Sequence, residues 1–306
     1  GAKERAGAPF PVQYWIPAHG TRARGAQKFF QARDLYHGVE TDEKVAPVIR
    51  VLLDPHGPDG HHYWKDAATN GAYLTALMQE ILPAIEEEFA IKAEPASRFL
   101  IGHGAGGWAA TNLILRHPDH FAAASILAPD PLDFESAFGL DLSKPGKQNA
   151  FRDAAGRDRP FVIRDGRVAL TLAQQAGFES VVLRGGVLRS LENAVAGRRG
   201  QRLFDRAHGR LDAEACRAAM ASDLKRFAIT NAETLFPKLQ RKLRIAVGER
   251  DDFRLVAPTL GFATALRDRG LALRLDTIKG ADHRALDSSD VHRLVQQDLS
   301  RIWRAR

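Results

Sequence analysis

Apolar residues along this chain fall into two alternating rhythms. Residues 48–53 (VIRVLL) form a nearly continuous apolar run closed by Asp54-Pro55-His56-Gly57. That is the pattern of a strand buried on both faces and followed by a loop. Further on, Leu74, Leu77, Met78, Ile81, Leu82, Ile85 and Phe89 recur at helical spacing, with Glu86 to Glu88 outside the stripe. This predicts a long helix bent at Pro83. A strand over 98–102, a glycine-crowded turn, a helix running to Arg116 and stopping before Pro118, and a strand over 121–127 come next. Strand and helix in alternation predict a parallel sheet covered on both faces.

Beyond Pro129-Asp130-Pro131 the alternation is lost. Asp165-Gly166 between short apolar runs signals a hairpin, and a helix begins near Asp212. Alternation resumes with a strand over 243–248, a helix from about Ala257 to Arg267, a strand over 271–278 and a final amphipathic helix. That helix is capped by Ser288 or Ser289 and carries Val291, Leu294, Val295, Leu299 and Ile302 on one face. The expected organisation is an α/β core made of residues 1–131 and 238–306, interrupted by an inserted cap over 132–237.

Composition narrows the class. With 306 residues, 44% of them hydrophobic, the chain can bury a large core. No apolar run approaches the roughly 20 residues needed to span a bilayer, so no transmembrane segment is expected. The net charge of +7 is densest between Arg184 and Arg226 but lacks interleaved aromatics, which argues against nucleic acid as a partner. Those arginines, with Gly185-Gly186, would suit a mobile basic lid. The lone cysteine, Cys216, excludes an internal disulfide and sits in helical register with Met220, Leu224 and Phe227, as a core thiol does. A start at Gly1-Ala2 rather than Met points to a trimmed leader, upstream segment or tag.

In open α/β sheets, chemistry gathers beyond the carboxyl ends of the strands. The first such end here is Gly102-His103-Gly104-Ala105-Gly106-Gly107, which has the build of a nucleophile elbow, G-x-S-x-G, with glycine at the serine position. The second is Gly248 to Asp252, and the third is Gly280 to His283. Nucleophile position, then Asp251, then His283 follow one another in the order used by α/β-hydrolases, with Asp252 as the alternative acid. The glycines do not fit G-x-G-x-x-G in register, which disfavours a dinucleotide site, and no cofactor is expected. His56, Asp59, His61 and His62 cluster in a loop without the i, i+4 spacing of metal ligands, so no metal is expected either. Ser97, Ser125 and Ser136 stand at no elbow, and His103 reads as structural, pointing away from the substrate side of the turn.

These segments resemble the putative-esterase branch of the α/β-hydrolases, which includes feruloyl esterases, enterochelin esterases, S-formylglutathione hydrolases and mycolyltransferases. The resemblance rests on Glu80 to Glu86, the elbow at 102–107, Arg116 to Phe121, Gly248 to Asp251 and Gly280 to His283, with 128–134 resembling a subgroup signature. It implies a mostly parallel, doubly wound sheet and ester hydrolysis or acyl transfer on a small-molecule or acylated substrate. By position, His283 would be the base, Asp251 its orienting acid, and Gly104 would stand where the family has its serine. The oxyanion would be held by the backbone N–H of Ala105 and of His56 or Gly57, in the loop after Leu53. A secreted or periplasmic location is implied ahead of a cytoplasmic one. Two accounts of Gly104 stand at this point: an esterase inactivated by loss of its serine, or a natural pseudoenzyme that binds a ligand or partner. Water activated by His283 is a third.

Overall fold

The computed structural model describes residues 9–33, 42–182 and 186–305; Gly1-Ala2, Arg184 and Gly185 lie outside them. Six strands form the main sheet: β1 (Val12–Ile16), β2 (Ile49–Leu52), β3 (Arg98–His103), β4 (Ala123–Leu127), β5 (Leu243–Gly248) and β6 (Arg274–Ile278). They lie in the order β6-β5-β4-β3-β1-β2, and every neighbouring pair is parallel. The chain thus has the doubly wound α/β architecture that the alternating pattern predicts.

Three details differ from the pattern. First, β1 is an additional strand: all five of its residues are buried, including Gln13, so it carries no in–out alternation to mark it. Second, the strands expected from residues 121 and 271 begin at Ala123 and Arg274, because the preceding apolar residues, Phe121 and Leu271, are buried in the approaching loops. Third, the long helix is not simply bent at Pro83. It contains a π-helical segment, Leu77–Ile81, between Tyr73–Ala76 and Leu82–Glu88. Pro83 has no N–H for the carbonyl four residues back, and a wider ladder bypasses the missing donor.

The described residues of 132–237 add no strand to this sheet. They contain the hairpin Pro160–Arg164 with Arg167–Thr171, turned by Asp165 (φ 47°) and Gly166 (φ 72°), both in the left-handed region that a two-residue turn of this type requires. Phe134, Phe161, Leu191 and Leu224 from this stretch share one buried cluster with Val12, Leu100 and Ile245 of the sheet. Several of its arginines are matched by acids: Arg202 and Arg206 meet buried Glu192, Arg198 meets Glu214, and Arg210 meets Asp205. Cys216 is fully buried, and burial, aided by Asp212, pushes its thiol up to about 11. Among the described residues, no helix is long and apolar enough to cross a membrane.

Candidate active site

Since β3 lies between β1 and β4, the loops that follow those two strands flank the turn at its end. That turn is Gly104, with φ 56° and ψ −122°, after which the helix Ala105–Arg116 begins. The turn is pinned on both sides: the Gly104 N–H donates to the Leu127 carbonyl at 3.0 Å, and its carbonyl accepts from the N–H groups of Trp108 (3.1 Å) and Asp130 (3.0 Å). Gly106 lets the helix approach β1, since a Cβ there would lie 1.9 Å from the Ile16 carbonyl oxygen. Gly106→Ala is therefore expected to cost about 3 kcal/mol or more, because backbone rather than a flexible side chain would have to move. The check is the urea midpoint, and a change smaller than that of a surface alanine substitution would contradict it.

His283, in the loop after β6, directs its Nδ1–H to Asp251 Oδ2 at 2.8 Å. A carboxylate only accepts, so this bond fixes the proton on Nδ1 and leaves Nε2 of the neutral ring with its lone pair free. Asp251, in the loop after β5, is held in turn, because its Oδ1 accepts from the N–H groups of Phe253 (2.9 Å) and Leu255 (3.2 Å). The imidazole packs between the rings of Phe253, 4.8 Å away, and His103, 4.5 Å away. A Cβ built on Gly104 would stand 3.6 Å from His283 Nε2. Burial alone would lower the imidazole pKa, but the Asp251 hydrogen bond and charge, with Asp130 and Asp252 beyond, outweigh it and raise the pKa overall. Asp252 does not reach the ring with a hydrogen bond; it faces Arg164 at 3.8 Å. His103 lies beside the cavity rather than away from it, with its Nε2–H on the His283 carbonyl at 3.1 Å.

The loop on the other side of Gly104 is Pro17 to Thr21, after β1, and not the loop after Leu53. Ala18 Cβ lies 3.2 Å from the position a Cβ on Gly104 would take. His56 and Gly57 line no part of the cavity, and the His56 N–H already donates to Asp54 Oδ1 at 3.1 Å. The loop beside Gly104 is therefore Pro17–Thr21, because β1, and not β2, pairs with the elbow strand. The clustered histidines brace that loop. His56 Nε2 accepts from the Gly20 N–H at 3.1 Å, and the His61 Nε2–H donates to the Pro17 carbonyl at 3.1 Å. Their remaining ring nitrogens are engaged by Asp54 and by the Tyr63 N–H. His62 instead stacks on Tyr73, with ring centroids 3.7 Å apart.

Gly104, Ala105, His283 and Asp130 open onto one cavity of about 290 Å³. Phe138, Phe161 and Val187 are its lining from residues 132–237, so that stretch contributes apolar wall and none of its described arginines lines the cavity. The basic lid anticipated from composition is absent among the described residues. Asp130 was not anticipated as a site residue, although it follows the end of β4, where the strand-end rule directs attention. It is 8% exposed and accepts the Tyr63 hydroxyl at 2.6 Å, and burial raises its carboxyl to about 6. On the far wall, Arg33 is tied to Asp287, which His292 Nε2 also contacts at 2.7 Å. Among the described residues, no group of three or more His, Cys, Asp or Glu side chains is placed to hold a metal ion.

A parallel six-stranded sheet with a turn of this kind at the end of β3 defines an α/β-hydrolase. Comparison with protein families identifies which one: the family described as "Putative esterase" matches residues 3–158, more than half of the chain, and the chain belongs to it. No curated protein matches. Among solved structures, the chain is similar to a ferulic acid esterase at TM-score 0.63 and 15% identity, covering 98% of this chain and 88% of that one. It is also similar to the fluorophosphonate-binding serine hydrolase FphF of Staphylococcus aureus (TM-score 0.53, 13% identity, 97% and 86% covered). A third is an S-formylglutathione hydrolase from Agrobacterium tumefaciens (TM-score 0.52, 15% identity, 100% and 86% covered).

Proposed function

We propose that this chain is a carboxylic-ester hydrolase that lacks its nucleophilic oxygen, and that as it stands it binds a small ester without turning it over efficiently. The observation that carries the reading is the alignment of the Asp251–His283 pair on an empty seat: Nε2 lies 3.6 Å from where a Cβ on Gly104 would be. A base held this way in a protein without a nucleophile has no structural need to face that point.

With serine at 104, the chemistry follows from the positions. The hydroxyl oxygen attacks the acyl carbon while His283 Nε2 takes its proton, and Asp251 stabilises the imidazolium. The carbonyl oxygen, now negative, accepts from the N–H of Ala105, which as the first helical residue has no acceptor within the helix, and from the N–H of Ala18 or His19. The imidazolium returns its proton to the departing alkoxide. Water then repeats the sequence on the acyl-serine and releases the acid.

The test is Gly104→Ser with covalent labelling by a fluorophosphonate and turnover of a short aryl ester, each measured beside the unsubstituted chain. The same retained cavity supports a second reading, a natural pseudoenzyme that keeps the pocket for binding. The codon at position 104 in the source gene separates the two, since a native glycine codon sinks the account of an inactivated esterase.

A further inference from the structure

Asp130 is a buried cavity carboxylate that handles neither ester nor proton in the proposed hydrolysis, where it acts only as one of the charges that raise the His283 pKa. The other cavity acid, Asp287, is neutralised by Arg33. Asp130 has no arginine or lysine within ion-pair range among the described residues. Its nearest potential cation is His19, whose Nε2 is 4.0 Å from Oδ2. Burial, then the nearby His56 and His283, lower His19 to about 4, so its ring is neutral near pH 7 and compensates nothing. The Tyr63 hydroxyl occupies Oδ2, while Oδ1 receives no hydrogen bond from any described residue. The Asp130 backbone N–H is bonded to the Gly104 carbonyl, and both residues line the same cavity.

The rest of the wall fits the same kind of ligand. Phe138, Phe161 and Phe253 form a run of ring contacts, at 5.6 and 6.0 Å between centroids, that ends on His283. Aromatic faces beside an unmatched carboxylate attract a cation and exclude an anion. Among the described residues, the cavity is therefore opposite in sign to the protein as a whole, which carries +7.

We propose that this cavity selects esters bearing an ammonium group, with Asp130 Oδ1 as the acceptor that reads it. The proposal rests on the ester-binding reading above, and the experiment is chosen to separate the two. The unsubstituted chain is titrated calorimetrically at about pH 7.5, where a carboxyl of this pKa is ionised, with two probe sets. One is methyl 4-(aminomethyl)benzoate with its neutral analogues methyl 4-ethylbenzoate and methyl 4-(hydroxymethyl)benzoate. The other is 2-(dimethylamino)ethyl benzoate with 3-methylbutyl benzoate, which moves the amine to the alcohol side.

In at least one set the ammonium ester is expected to bind about tenfold or more tighter than its neutral partners. Asp130→Asn is expected to bring that ratio to near one, whereas Tyr63→Phe, which removes the hydroxyl and keeps the charge, preserves it. A ratio near one in both sets for the unsubstituted chain overturns the proposal alone, the hydroxymethyl ester counting as a neutral partner in the first set. A preference that survives in folded Asp130→Asn overturns it too. No binding by any probe overturns it together with the hydrolase reading.

Discussion

Gly104→Ser is expected to make the chain react with fluorophosphonates and to raise ester turnover on the order of a thousandfold or more. A serine oxygen lies one bond beyond a Cβ that stands 3.6 Å from His283 Nε2, so a staggered rotamer brings it within hydrogen-bond range of the base. The substitution has a structural cost. At φ 56° an L-residue is strained, typically by about 1–3 kcal/mol, and the new Cβ meets Ala18 Cβ at 3.2 Å. A lower unfolding temperature should therefore accompany the gain of activity. Strain at this position is tolerable because the turn is pinned by Leu127, Trp108 and Asp130 through the backbone of residue 104, none of which depends on its side chain. A folded Gly104→Ser protein that is neither labelled nor active would sink the hydrolase reading.

The second large effect is expected in that serine background. Asp251→Asn should lower kcat by about four orders of magnitude, because an amide no longer enforces the tautomer with the proton on Nδ1 or stabilises the imidazolium. His283→Ala should abolish labelling. The pH profile carries an independent check. Nε2 accepts a proton only when the ring is neutral, so kcat/KM must rise with pH through the folded pKa of His283. That pKa is raised in net by Asp251, Asp130 and Asp252 against the downward pull of burial, which places the midpoint above the ordinary imidazole value of about 6.5. Asp251→Asn removes the largest upward influence and should shift the midpoint down. A midpoint that does not move on that substitution would show that Asp251 does not act on the base.

Much of this protein was legible in the linear chain. The apolar runs ending in Leu53, Gly102, Leu127 and Gly248 mark sheet strands, since a strand covered on both faces is mostly apolar whatever its neighbours are; the edge strand ending in Ile278 is more polar, with Arg274, Asp276 and Thr277. Asp165-Gly166 announced its hairpin because two successive left-handed residues are a local demand. The glycines at 102–107 announced a tight turn for a related reason: Gly104 is left-handed, and Gly102 and Gly106 leave no room for a Cβ against neighbouring backbone. Even the 2.8 Å contact between His283 and Asp251 was accessible, since loops at the carboxyl ends of parallel strands are brought to one edge of the sheet by topology alone.

What the chain could not disclose is which strand lies beside which. β1 and β2 are consecutive, yet β1 is the one inserted next to β3, and that choice puts the loop after Ile16, and not the His56–Gly57 loop, beside Gly104. Likewise His56 and His61 become braces, and Asp130 a lone cavity carboxylate, only through contacts spanning 36 to 67 positions along the chain. Local periodicity reports whether a residue is buried. Neighbours across the sheet are selected by the packing of the whole fold, and only the tertiary structure contains that selection.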